Sequence, residues 1–236
     1  MGVTMNHDGT ASFLDRLFPA NPRLPLWLKL LYTGFMAVLV PIYWRDYGIT
    51  NFLYFCDVAL FFTLAAVWLE SPLLASTPLV GIFLPQMLWV ADFLVELAGG
   101  RFLGMTGYMF RPPRFLRALS FFHCWLPFFL LWLVWRLGYD RRAFPIWTVC
   151  AWVVMGICYA AMPGPTTTPE WPDQPININY VYGFDNTKPQ ERMDSDQYFA
   201  LLIALLPLSV LPSHWLCVWL FTKKRAAPSE AWASST

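Results

Sequence analysis

The stretch Ile49-Thr-Asn-Phe-Leu-Tyr-Phe-Cys-Asp57-Val-Ala-Leu-Phe-Phe-Thr-Leu-Ala-Ala-Val-Trp-Leu69 runs for 21 residues with one formal charge, Asp57. About 20 apolar residues in a helix cross the roughly 30 Å of bilayer hydrocarbon. A charge at the centre of such a segment costs about 2.5–3.5 kcal/mol or more, so it turns toward a bundle interior or a wet cavity. The stretch therefore reads as one transmembrane helix of several. Five more apolar segments accompany it, at 24–43, 72–90, 115–137, 143–162 and 198–221. The predicted fold is all-α, a polytopic integral membrane bundle of about six transmembrane helices. It follows a polar N-terminal segment, 1–23, and precedes a short tail, 223–236. Trp27, Trp44, Trp68 and Trp147 sit at segment ends, where interface anchors are expected.

Composition agrees with this class. Of 236 residues, 57% are hydrophobic and 13% charged, against about 25% charged in an ordinary soluble domain. An aromatic share of 18% excludes a disordered chain. The net charge of +1 gives no basic face for nucleic acid, and membrane lipids are the expected partners. The five cysteines, Cys56, Cys124, Cys150, Cys158 and Cys217, lie in or beside apolar runs, with no C-x-x-C and no Cys/His ligand spacing. They form neither a disulfide framework nor a metal site. No cofactor is called for: His123 and His214 as a haem pair would stand without any supporting motif. Residues 1–11 are polar where the apolar core of a signal peptide would begin, so the first apolar run is expected to stay in the protein.

Two stretches interrupt the pattern. Residues 91–110 hold Asp92, Glu96, Gly99, Gly100 and Arg101, which suit an extended third helix, a re-entrant piece or an interfacial segment better than a clean span. The polar loop 163–197 opens with five prolines between 163 and 175, which exclude helix. Its second half, 177–184, is rich in amides and aromatics and is expected to be ordered over the bundle mouth. Six spans put both termini on one side. That side carries Arg16, Arg23, Lys29, Arg136, Arg141, Arg142, Lys223, Lys224 and Arg225, nine basic residues against seven on the other. The excess predicts cytoplasmic termini, and for a bacterial chain the cytoplasmic (inner) membrane.

Polar residues inside the spans mark the candidate site. Asn51, Tyr54 and Asp57 follow at i, i+3 and i+6, which on a helix is one face, with Cys56 about 100° away. Gln86 belongs to the third segment, with Asp92 just beyond it. His123 lies in the fourth, and Pro127 removes the helix bond to its carbonyl. Each of these also has a structural reading. Asp57 can hold helices together by hydrogen bonding, and a histidine on an apolar face is often a satisfied interior residue.

Three stretches carry a family resemblance. Tyr54-Phe55-Cys56-Asp57, Phe121-Phe122-His123 with Leu126-Pro127, and Asn179-Tyr180-Val181-Tyr182 followed by Lys188-Pro189 occur in one order over roughly residues 45–222. In this the chain resembles the YwaF-type bacterial integral membrane proteins. Those are distantly similar to a eukaryotic acyltransferase that remodels ether phospholipids and to the androgen-induced hydrolases of fatty-acid esters. Tyr54 stands where the family's opening has a histidine, and the loop before Asn179 is longer and richer in proline. The resemblance implies an intramembrane lipid acyltransferase or ester hydrolase. Cys56 would be its nucleophile and His123 its base, with Asp57 or Asn51 orienting the histidine or holding the substrate head. Tyr54, Gln86, Asn179, Tyr180 and Tyr182 complete the expected substrate-binding set. From the residues alone, a polar cluster inside a bundle is equally that of a small-solute binding or transport protein, or of an accessory subunit of a membrane complex.

Overall fold

The computed structural model describes residues 23–110, 113–171, 174–185 and 188–222. The N-terminal segment through residue 22 and the tail from 223, with Arg16 and Lys223 to Arg225, lie outside the described residues. Among the described residues every regular element is helical. Helix α1 is Leu26–Tyr47, α2 Phe55–Leu69, α3 Pro72–Leu97, α4 Arg114–Ser120, α5 Phe122–Leu137, α6 Ala143–Ala161 and α7 Ser195–Thr222. Three short 3-10 turns, Ile49–Leu53, Gly107–Phe110 and Ile178–Tyr180, lie between them.

Five of the segments are long and apolar enough to cross a membrane: α1, α3, the α4–α5 pair, α6 and α7. Helix α2 has only 15 residues and is about 22 Å long. The 3-10 turn before it adds about 10 Å, which brings 49–69 to the length of a crossing. This corrects the expectation of one continuous helix. The chain breaks at Tyr54, whose ψ of 138° is extended. Asn51 therefore sits on the turn and does not share a helix face with Asp57. The chain is a multi-pass membrane protein, and its outer surface suits lipid. Trp27, Leu31, Leu208, Trp215 and Trp219 are all exposed. A water-soluble surface rarely gathers so many large apolar side chains.

Helix α3 lies at the centre and packs on α2, α5, α6 and α7. Ser71 caps its N-terminus by accepting from the Leu74 N–H at 3.4 Å, and Pro72 takes the first position, where no N–H is needed. The α3–α6 contact is close. A Cβ on Gly81 would lie 1.8 Å from Trp147, whose indole is 1% exposed and also meets Phe55 and Phe62. Trp147 is thus a core residue of the bundle and not the interface anchor expected from its place near a segment end. Helix α1 presents Leu28, Tyr32, Met36, Leu39 and Tyr43 along one buried stripe, at the spacing of a single helix face.

The two ends of the bundle differ. At one end the Arg23 N–H donates to Glu70 at 2.7 Å, the Arg23 guanidinium to the Leu137 carbonyl at 3.2 Å, and Arg136 to the Arg23 carbonyl at 3.0 Å. Lys29 and Glu70 form a buried ion pair at 2.8 Å beside them. The start of α1, the α2–α3 turn and the α5–α6 turn therefore meet on one side, as alternate crossings require. The other end is covered by two folded-back segments. The first follows α3, which runs on to Leu97. Asp92 accepts from the backbone N–H groups of Leu103, Gly104, Met105 and Thr106 and from the Thr106 hydroxyl. The ambiguous 91–110 stretch is thus a helix end and a loop bound back onto it, not a further span. The second is the loop after α6. Its Ile178 and Val181 are fully buried on Val154, Met155 and Cys158. Trp171 reaches Gly48, where a Cβ would come within 2.8 Å of its ring and where φ is +83°.

Candidate functional site

The polar residues gather beneath the covered end. The break at Tyr54 lets the chain turn so that Asn51, on the 3-10 turn, faces Asp57 in the first turn of α2. The Asn51 Nδ2 donates to Asp57 Oδ2 at 3.2 Å. The Cys56 thiol points at the same oxygen, with Sγ 3.9 Å away. Asp57 is 3% exposed, and among the described residues its Oδ1 has no hydrogen-bond partner. A carboxylate in the first turn of a helix also lies at the favourable end of the helix dipole. Asn51, Cys56 and Asp57 thus converge as residue types, though not by the helical spacing from which they were chosen.

His123 stands in a second group, near the start of α5. Gln86 of α3 places its Nε2 3.2 Å from His123 Nδ1. With the amide donating, Nδ1 is the acceptor and the ring proton resides on Nε2. The imidazole packs on Trp89 at 4.7 Å and on Phe122 at 4.1 Å between ring centroids. Gln86 Oε1 is buried and has no hydrogen-bond partner among the described residues. The expected Asp57–His123 pair is not formed. Asn51 takes the place beside the carboxylate and Gln86 the place beside the imidazole. No hydrogen bond among the described residues joins His123 to Cys56.

Tyr43, which the sequence reading passed over, anchors the segment just before the second group. The Tyr43 hydroxyl shares a hydrogen bond with the Ser120 hydroxyl at 2.7 Å, three residues before His123. A tyrosine in an aromatic-rich loop or near a helix end carries no sign in sequence of which way its hydroxyl points.

The loop residues act mostly on the chain itself. The Asn179 Oδ1 accepts from the Phe55 N–H at 3.1 Å, and its Nδ2 donates to the Leu53 carbonyl at 2.8 Å and meets Cys158 Sγ at 3.7 Å. Both amide hydrogens of Asn179, expected to bind substrate, are thus engaged by the chain itself. Tyr182 donates to the Tyr159 carbonyl at 2.7 Å and stacks on that ring, which ties the loop to α6. Tyr180 comes within electrostatic reach of Cys56, and its burial raises its hydroxyl above the usual phenol range. Tyr54 packs among Ile178, Val181 and Val154 beside the same thiol. His214 is remote from these groups and bonds Tyr139 at 2.7 Å.

The site therefore offers a thiol beside a carboxylate and an imidazole bonded by an amide, all beneath the covering loop. Set beside protein-family models, curated proteins and solved structures, the chain matches none of them.

Proposed function

We propose that the chain is an intramembrane enzyme of lipid acyl chemistry, a transferase or an ester hydrolase, with Cys56 as nucleophile. The observation that carries this reading is the Cys56 thiol directed at the buried Asp57 carboxylate. A thiol becomes a strong nucleophile once its proton has somewhere to go, and Asp57 is the acceptor beside it. Attack on an ester carbonyl would form the S–acyl bond and break the ester C–O bond. The thiol proton would pass through Asp57 to the departing alkoxide. Water or a lipid hydroxyl would then take the acyl group and return the thiol. Asn51 holds the carboxylate in place. His123, with its proton on Nε2, is the donor available to a carbonyl oxygen in this region. The resemblance to the YwaF-type proteins supports the same assignment of Cys56, and it implies His123 as the base. In the present geometry Asp57 stands closer to that role.

The test uses the purified protein in lipid nanodiscs with phospholipid carrying a fluorescent acyl chain. Acyl release or transfer is expected, with a hydroxylamine-labile acyl mark on the Cys56 peptide. Cys56→Ala should abolish both while the protein remains inserted. Unchanged turnover in Cys56→Ala overturns the proposal.

A second reading rests on the unpartnered acceptors Asp57 Oδ1 and Gln86 Oε1. Buried oxygens without donors suit a solute that brings its own N–H or O–H groups. Solute flux into proteoliposomes without acyl transfer would favour it.

A further inference from the structure

We infer that Asn179 is a positioning residue, which holds the break at Tyr54 and thereby sets where the Cys56 thiol points. The inference rests on the proposed role of Cys56 only for its kinetic consequence. Its structural part stands on the hydrogen bonds alone.

The break exposes backbone groups that a continuous helix would have satisfied. Leu53 and Phe55 are half-buried beneath the covering loop, where a backbone group left without a partner is costly. Asn179 meets the need from 124 residues away. Its carboxamide accepts from the Phe55 N–H and donates to the Leu53 carbonyl, one residue on either side of Tyr54. This is the pattern by which a neighbouring β-strand pairs with an extended residue, here supplied by one side chain. The second amide hydrogen faces Cys158 at the end of α6. The backbone is shaped for this: Asn179 has φ +57° and Tyr180 φ +60°, a left-handed step that turns the amide inward. Asparagine tolerates that conformation better than most residues.

The consequence for the site is direct. Phe55, whose N–H is held, immediately precedes Cys56 and Asp57. Were the clamp lost, the 3-10 turn and the first turn of α2 could rejoin as ordinary helix. Asn51 would then rotate away from Asp57, and Cys56 would change its direction.

Two variants separate the side chain from the backbone. Asn179→Gly keeps the left-handed conformation and removes the carboxamide. Asn179→Asp keeps an acceptor for the Phe55 N–H but cannot donate to the Leu53 carbonyl. The first readout needs no turnover: the alkylation rate of the Cys56 peptide by a membrane-permeant maleimide, followed by mass spectrometry in membranes. Loss of a buried hydrogen bond shifts a local equilibrium by a factor of about ten. Both variants should change the Cys56 rate by about tenfold while leaving Cys217, in the distant part of α7, unchanged. The second readout is kinetic. A positioning role lowers kcat by about tenfold or more with little change in KM, whereas a substrate-binding Asn179 raises KM. A Cys56 rate equal to wild type in both variants overturns the inference. A changed Cys56 rate in a protein without acyl transfer keeps the clamp and sinks only the proposed reaction.

Discussion

The Trp147 indole fills the space in which a side chain at position 81 would begin: a Cβ on Gly81 would lie 1.8 Å from the ring. Glycine here lets α6 approach the central helix α3. Gly81→Ala should therefore destabilise the bundle by about 3 kcal/mol, the upper range for overpacking a filled core, because the indole is enclosed and has nowhere to move. Thermal unfolding in detergent measures this. Adding Trp147→Leu to Gly81→Ala should recover part of the loss, since residues in contact couple. Additive losses in the double variant would mean that the two do not meet.

Asp92 organises the segment after α3. Its carboxylate collects four consecutive backbone N–H groups and the Thr106 hydroxyl, which also bonds Glu96 at 2.7 Å. Hydrogen bonds to a charged acceptor contribute about 1.5–3 kcal/mol each, and the Thr106 N–H is buried together with the Asp92 carboxylate. Asp92→Ala should release residues 98–106 and destabilise the fold by about 3 kcal/mol. Hydrogen exchange should show the amides of Leu103 to Thr106 losing protection together. Protection equal to wild type would remove Asp92 from this role.

The turn between α5 and α6 carries a pH dependence. Hydrogen bonds from Arg142 hold the Asp140 carboxyl below its usual range, and the same residue's N–H donates to the Ser76 hydroxyl at 3.0 Å. A carboxyl whose folded value is depressed contributes stability above its unfolded pKa, about 3.9, and loses it as pH falls through the lower folded value. Wild type should thus exceed Arg142→Gln in thermal stability at pH 6. The difference should close as the pH is lowered below about 4. The Arg142 side chain is 73% exposed, so the effect is small and screened by salt. A difference that persists unchanged at low pH would assign it to packing instead.

The apolar segments and their order were legible because hydropathy at a length of about 20 residues reports directly on hydrocarbon thickness. The directions of side chains were not. Residues 49–69 contain neither glycine nor proline, so nothing local marks the break at Tyr54. Its stabilising partner, Asn179, lies in a loop on the far side of three further crossings. Trp147 likewise looks like an interface anchor from its position, and only Gly81 on another helix makes it a core residue. Asp57 and His123 stand out in the sequence as polar groups that need partners in hydrocarbon, and in the structure each meets an amide side chain. Their partners, Asn51 and Gln86, were themselves among the residues marked, and only the pairing was beyond the sequence. The retention of Asp92 had one local sign, the glycines at 99, 100, 104 and 107, which leave backbone N–H groups free to turn toward a carboxylate.

The covering loop should resist proteolysis unevenly. Asn177 is 1% exposed and ties the loop to itself. Its Nδ2 donates to the carbonyls of Gly183 at 2.7 Å and Asp185 at 3.2 Å, while its Oδ1 accepts from the Tyr182 N–H at 2.9 Å. Ile178 and Val181 are buried beneath it, whereas residues 166–170 are exposed. Cleavage requires a segment to open locally, and its rate follows the population of the open form. Proteinase K acting on the protein in nanodiscs should therefore cut between 166 and 170 well before it cuts between 177 and 182. Asn177→Gly keeps the left-handed backbone, φ +49°, and removes all three bonds. It should raise cutting near Tyr180 by about tenfold or more, with little change at 166–170. Equal rates at the two places in the wild-type protein would show that 177–182 is a solvated tether, and the Asn179 clamp would then have no rigid loop to act from.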